Sequence, residues 1–196
     1  MKIVGLTGGI GSGKSTVANY FSSFDNVAIY IADEEAKKLM QTSQIIKQKI
    51  NEVFGANAYI DNYLNKKYIS NIVFKDSSKL DALNKIVHPE VRKHFHNFVK
   101  EQRNKEIIIY EAAILFESDN SQFCDFIITV YANSSTRIKR VIGRDNVSKE
   151  NVLYRMKNQL SDTYKLLQSN YIIYNDDLNK TKDQVQKVHK ILTEKS

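Results

Sequence analysis

Gly8-Gly9-Ile10-Gly11-Ser12-Gly13-Lys14-Ser15 is the stretch on which the reading of this chain turns. A glycine, four residues and then Gly-Lys-Ser is the P-loop spacing. Upstream, Lys2–Thr7 reads as a short, buried, β-rich strand. Downstream, residues 14–24 read as a helix with Val17, Ala18, Phe21 and Phe24 on one face. A glycine-rich turn in that context coils tightly and points successive backbone N–H groups at phosphate oxygens. The following helix adds the partial positive charge of its N-terminus. Lys14 is spaced to reach the β- and γ-phosphates, and Ser15 to set its hydroxyl on Mg2+. Gly11, Ser12, Gly13, Lys14, Ser15 and Thr16 are therefore the candidate nucleotide-binding residues, with Ser15 the candidate metal ligand. The pattern implies a nucleoside triphosphate.

Outward from the loop, Val27–Ile31 is a second continuous apolar run and reads as a buried strand. Residues 34–102 then show helical periodicity with little strand signal. Ile45, Ile46, Ile50, Val53 and Phe54 form one stripe there, and Leu80, Leu83, Val87 and Val91 another. Further strands are expected over 106–110, Phe126–Tyr131 and Tyr171–Tyr174, and helices over 135–144, 148–160 and 180–192. Strands alternating with helices predict an α/β fold with a mainly parallel sheet. The helical stretch after the second strand and the basic helical pair after the fourth look like additions around one core.

A chain of 196 residues, 42% hydrophobic and 26% charged, suits one globular unit with a substantial core. No apolar run approaches the roughly 18 residues of a membrane span. The longest, 107–116, is interrupted by Glu111. No export leader is expected from the opening residues, and the lone Cys124 has no partner for an intramolecular disulfide and reads as core. These features predict a reducing cytoplasm and no membrane association.

The net charge of +7 is local, with +5 of it between residues 134 and 159. That concentration suggests one anionic ligand more than a long nucleic-acid groove. Tyr154 is the only aromatic residue in the segment, which offers little surface for base stacking, so no nucleic-acid partner is expected. A GTPase switch fails because Gly55 and Gly143 are the only later glycines, and Glu52 and Arg140 stand where its aspartate belongs. In Asn179-Lys180-Thr181-Lys182-Asp183 the aspartate falls one residue late for guanine recognition. Motors, helicases and transporter ATPases need more chain. A small kinase acting on a small molecule fits the size.

Three groups of side chains have two readings each. Asp33, between a buried strand and a helix, is either an N-cap or a carboxylate that orients an acceptor hydroxyl and takes its proton. Glu34 and Glu35 read as exposed first-turn acids. Arg137, Arg140 and Arg144 share a helical face, which is either a solvated stripe or a set of guanidinium groups for the triphosphate. His88 precedes Pro89, the sole proline, and so either marks a helix boundary or serves a site. His94, His96 and His189 form no metal-ligand set, so the one metal expected is Mg2+ arriving with ATP.

The run Val4-Gly5-Leu6-Thr7-Gly8-Gly9-Ile10-Gly11-Ser12-Gly13-Lys14-Ser15-Thr16-Val17 resembles the opening of the dephospho-CoA kinase family. Ala32-Asp33 resembles the end of its Asp-Ala-Asp, and His88-Pro89-Glu90-Val91-Arg92 its His-Pro-x-Val/Ile-Arg. Ile114-Leu115-Phe116-Glu117 resembles the end of its Asp-x-Pro-Leu-Leu-Phe-Glu. Arg140, Gly143-Arg144-Asp145, Gln159 and Tyr174-Asn175 follow in the family's order. Three departures stand out. Ile31 replaces the first Asp of Asp-Ala-Asp, Glu111 and Ala113 stand near the Asp and Pro of the Pro-Leu-Leu motif, and Tyr174 replaces the Asp of Ile-Asp-Asn.

The resemblance implies a single domain of the P-loop NTPase fold, with a five-stranded parallel core over 1–33, 104–133 and 166–196. It implies a helical acceptor-binding insertion over 34–103 and a mobile helical lid over 134–165. The implied reaction moves the γ-phosphoryl group of ATP to the ribose 3′-hydroxyl of dephospho-CoA. The runner-up is another small-molecule P-loop kinase, for a nucleoside, nucleotide or sugar. By position, Lys14, Asp33 and Arg140 are the implied catalytic residues, and Arg144 and Asn175 the further nucleotide contacts. Asp33, His88, Arg92, Leu115, Phe116 and Glu117 are the implied acceptor contacts. Arg137 matches no family position.

Overall fold

Short runs of branched and aromatic residues build the sheet, buried on both faces in its inner strands. The computed structural model describes residues 1–194. In chain order its elements are β1 Lys2–Thr7, α1 Lys14–Phe21, β2 Val27–Ile31, α2 Ala32–Thr42, α3 Gln44–Phe54, β3 Tyr59–Ile60, β4 Tyr63–Leu64 and α4 Lys66–Val73. There follow α5 Ser77–Glu101, β5 Ile107–Glu111, β6 Phe126–Tyr131, α6 Ser134–Asp145, α7 Lys149–Lys157, α8 Asp162–Leu167, β7 Tyr171–Tyr174 and α9 Leu178–Glu194. The chain divides into two compact units, Met1–Ile31 with Gln102 onward, and Ala32–Glu101.

The first unit carries a five-stranded sheet in the order β2-β5-β1-β6-β7. Every pairing in it is parallel. Alternation of side chains sends Val4, Leu6, Ile107, Ile109, Ile128, Val130 and Ile173 to one face. There they pack on Val17, Ala18 and Phe21 of α1 and on Val185, Val188 and Leu192 of α9. The opposite face carries Tyr110, which stacks on Tyr30 at 5.5 Å and meets Phe123 edge-on at 5.0 Å. Cys124 lies half-buried, and burial pushes its thiol up to about 12, so it stays protonated and packs as a small apolar group. Because β1, β2, β5, β6 and β7 run parallel, the loops that leave their C-terminal ends share one edge of the sheet, the edge where open α/β sheets bind ligands.

Several elements differ from the sequence reading. The third strand starts and ends one residue later than expected, so buried Glu111 closes β5, paired in register with Leu6 and Ile31. The helix expected over 148–160 stops at Lys157, and α8 follows, capped by the Ser161 hydroxyl accepting from Tyr164 N–H.

In the second unit, the stretch expected to be helical throughout contains a two-stranded hairpin, β3-β4. It turns on Asp61 and Asn62, both at positive φ, a conformation these residues tolerate better than most. His88 does not end a helix. Pro89 lies inside the 25-residue α5, where one lost backbone bond is outweighed by burial of Ile86, Val87, Val91 and Phe95. Asp33 does not precede its helix either. α2 begins at Ala32, so Asp33 sits exposed in the first turn, where the helix dipole favours its charge and the N-cap reading lapses.

Ile109 is fully buried on the inner strand β5. Ile109→Ala should lower the unfolding free energy of the sheet unit by about 2–5 kcal/mol, read as a lower urea midpoint with unchanged slope. An unchanged midpoint would remove β5 from the core.

Candidate active site

β1 ends at Thr7 and the chain turns through the glycine loop before α1 begins at Lys14. Lys14 Nζ donates to the Gly8 carbonyl at 3.1 Å, which folds its side chain back over the loop. Ser15 is exposed on the first turn of α1, and Thr16 beside it is half-buried. The outer side of the loop is held by side chains from far along the chain. Gln159 Oε1 accepts from Ile10 N–H at 2.9 Å, and Arg137 Nε donates to Ile10 C=O at 2.9 Å. Asn175 Nδ2 donates to Ser12 C=O at 2.8 Å, and Arg140 Nη2 donates to Asn175 C=O at 2.9 Å.

Two loop glycines are dictated by these neighbours. A Cβ on Gly9 would run into the Arg137 guanidinium, and one on Gly13, which has φ of 92°, would run into the Asn175 amide.

Among the described residues, three buried side-chain atoms lack a hydrogen-bond partner: Thr7 Oγ1, Ser12 Oγ and Arg140 Nη1. Leaving such a group unpaired costs about 1–3 kcal/mol. Arg140 Nη1 lies 3.8 Å from the point a Gly13 Cβ would occupy, so this orphaned donor stands at the last glycine of the loop. Oxygen-rich polyanions satisfy such a set, and the donors fit a triphosphate. Ser15 Oγ and the Glu111 carboxylate are hard oxygen donors of the kind Mg2+ takes.

The three arginines of α6 do not act as one face. Arg137 is buried, with 3% exposure, and its Nη1 pairs with Asp162. Arg140 is half-buried at the loop. Arg144 is exposed and bonded to Asp145 at 2.7 and 3.2 Å, with Arg155 joining the same carboxylate at 2.9 Å. The solvated-stripe reading therefore fails for Arg137, which shares the buried face of α6 with Val141. That i, i+4 relation to an apolar residue was the sequence signal for it.

Among the implied acceptor contacts, Leu115 is fully buried and serves the core, with no surface left for a ligand. Phe116 packs edge-on against Tyr164 at 5.8 Å. Glu117 Oε1 accepts from Leu160 N–H at 2.9 Å and pairs at 3.0 Å with Lys165, whose side chain is 1% exposed. Glu117 thus fastens the α7–α8 turn. Asn175 is 2% exposed, and its amide is committed to Ser12 and to Thr181 Oγ1 at 3.0 Å. It acts on the loop.

The second unit brings three expected residues together where α2 packs on α5. Burial of the half-buried His88 imidazole holds it below the usual 6.5, the Arg92 guanidinium pushes the same way, and the Asp33 carboxylate pulls it back up. The same unit holds a cavity of about 600 Å³ with Met40, Leu64 and Ile69 on its wall and Lys37, Lys38 and Lys66 at its margin.

The profile of the dephospho-CoA kinase family matches residues 2–181. A dephospho-CoA kinase of Bacteroides fragilis is 36% identical over 173 residues, covering 88% of this chain and 84% of that protein. The chain belongs to the dephospho-CoA kinase family. A crystal structure of a Thermus thermophilus protein superposes with a TM-score of 0.88 at 27% identity, covering 100% of this chain and 98% of that one. A dephospho-CoA kinase of Campylobacter jejuni shares the fold, with a TM-score of 0.71 at 23% identity, covering 99% and 98%.

Sequence reasoning gave no role to Asp162, Lys165 or Thr181, and placed Gln159 only by family order. Asp162, Lys165 and Gln159 act through partners more than a dozen residues away, which no local spacing exposes, whereas Thr181 reaches back only six residues to Asn175 from the first turn of α9.

The His88 environment makes a signed prediction. Its NMR titration midpoint should lie below 6.5, rise in Arg92→Gln and fall further in Asp33→Asn. Because the unfolded chain binds that proton more readily, His88 should erode stability as pH drops through 6.5. A midpoint indifferent to both substitutions would separate the three residues.

Proposed function

We propose that this chain transfers the γ-phosphoryl group of ATP to the ribose 3′-hydroxyl of dephospho-CoA, giving CoA and ADP. The observation that carries the reading is the pair of orphaned donors, Ser12 Oγ and Arg140 Nη1, at a P-loop in a chain of this family. Phosphoryl transfer asks little covalent chemistry of the protein; it asks for position and for charge where charge shifts. Lys14 and the loop amides take the β- and γ-phosphates, and Arg140 turns its free donor to the same oxygens. When bound with ATP, Mg2+ neutralises charge across these phosphates, and Ser15 and Glu111 are the residues that would hold it.

Asp33 orients the acceptor hydroxyl and takes its proton. It is exposed, in the first turn of α2, two residues beyond the C-terminal end of β2. His88, held below its usual range by burial, feels both the Arg92 guanidinium and the Asp33 carboxylate, a set that suits a ribose hydroxyl and an acceptor phosphate. The lysine-edged apolar cavity of the second unit suits the acceptor's diphosphate and its flexible arm. Arg144 reaches the nucleotide when the segment over 134–165 closes as a lid. No helix among the described residues is long and apolar enough to cross a membrane. We place the enzyme in the cytoplasm, with its two small-molecule substrates as its partners.

Incubation with MgATP and a panel of acceptors, with products read by mass spectrometry, tests the assignment. Dephospho-CoA should gain one phosphoryl group; turnover of a nucleoside monophosphate but not of dephospho-CoA would overturn it. Asp33→Asn should bind ATP normally and lose about 10²–10⁴ in kcat. Wild-type kcat in that variant would end the catalytic role of Asp33. Lys14→Ala, still folded, should lose at least about a hundredfold, and near-normal turnover would move the ATP site elsewhere.

A further inference from the structure

The phosphate loop has glycines on both sides of Ile10, so the chain itself does little to fix how the two peptide units around that residue are turned. Yet those units decide which amides face a ligand. Both are held from outside. Gln159 Oε1 takes the Ile10 N–H and Arg137 Nε holds the Ile10 C=O, each at 2.9 Å and each from more than 120 residues away. We infer that Arg137 and Gln159 are positioning residues for phosphoryl transfer, aiming the loop amides at the phosphates by fixing the peptides on either side of Ile10.

The geometry follows from peptide planarity. In a trans peptide the C=O and the next N–H point in opposite directions. With Ile10 C=O turned to Arg137, the Gly11 N–H must point away from Arg137. The same holds two peptide units on, where Asn175 grips Ser12 C=O and turns the Gly13 N–H away from itself. Gln159, by occupying the Ile10 N–H, removes that amide from the set a ligand could use and stops the preceding peptide from flipping.

Arg137 is suited to this work and not to direct phosphate binding. It is buried, its guanidinium lies against Gly9 where no side chain fits, and its charge is matched by Asp162 at the start of α8. A guanidinium fixed in this way presents Nε in one direction only.

This inference rests on the P-loop holding the triphosphate, so its test begins with wild-type titration by AMP, ADP and MgATP. Failure of wild-type protein to bind MgATP would overturn the phosphate-site reading and this inference with it. Given that binding, Gln159→Leu and Arg137→Met should each lower kcat/KM for ATP by about a hundredfold. The loss of affinity should grow from AMP to ADP to ATP, while affinity for dephospho-CoA and the melting temperature of Gln159→Leu stay near wild type. A purely structural role would weaken all three nucleotides alike, or shift melting alone. Either pattern, or unchanged ATP kinetics in folded Gln159→Leu, overturns the proposal; should Arg137→Met fail to fold, the half-buried Gln159 decides it.

Discussion

One residue of the loop, Ile10, is gripped at both its backbone groups by side chains from the far half of the chain, and the site depends on that grip. Glycine-rich loops bind phosphate because their amides can converge, but the same freedom lets them diverge. A site that must be ready before its ligand arrives needs the freedom removed. Here Arg137, Gln159 and Asn175 remove it with neutral or neutralised hydrogen bonds on the outer side of the loop. A lone buried guanidinium would be costly, since breaking a buried pair leaves an uncompensated charge worth about 3–5 kcal/mol. Asp162 and the Ile10 carbonyl together meet that demand.

The motif therefore answers to two constraints at once. Its inner side must admit phosphate oxygens, and its outer side must admit Arg137 against Gly9 and Asn175 against Gly13. Sequence reading recognised the first, because phosphate chemistry is encoded in local spacing. It had no access to the second, which depends on residues brought in by β6 and β7. Asn175 shows the difference well. Its position in the family order suggested a ligand contact, while its burial and its bonds to Ser12 and Thr181 make it part of the frame.

Much of the fold was legible for a similar reason. β1, β2 and β6 are largely apolar runs whose burial writes that pattern directly into the chain, and the edge strand β7 keeps the run Tyr171–Tyr174 with only Ile173 fully buried. Where two signals competed, the reading slipped. Pro89 speaks locally against helix, but a long amphipathic stripe on either side overrode it. The break after Lys157 was signalled only by Ser161-Asp162, a cap and a first-turn acid inside a stretch whose periodicity ran on. The hairpin at Asp61-Asn62 joins strands of only two residues each, Tyr59–Ile60 and Tyr63–Leu64, too short to establish an alternating pattern.

The basic segment separates into two chemistries that the net charge does not distinguish. Arg137 and Lys165 are buried and bound to Asp162 and Glu117, and with Gln159 they fasten both ends of the 134–165 segment to the unit that bears the loop. Between those ends, Arg144 and Arg155 share Asp145 near the surface, and the Arg144 bond holds that carboxyl below the usual carboxylate range. Exposed pairs of this kind contribute about 0–1 kcal/mol, so an arriving polyanion can take Arg144 from Asp145 at little cost. Arg137 has no such alternative, because leaving Asp162 would strand a charge under the loop. The same helix thus carries one arginine, Arg137, that cannot change partners and one, Arg144, that can.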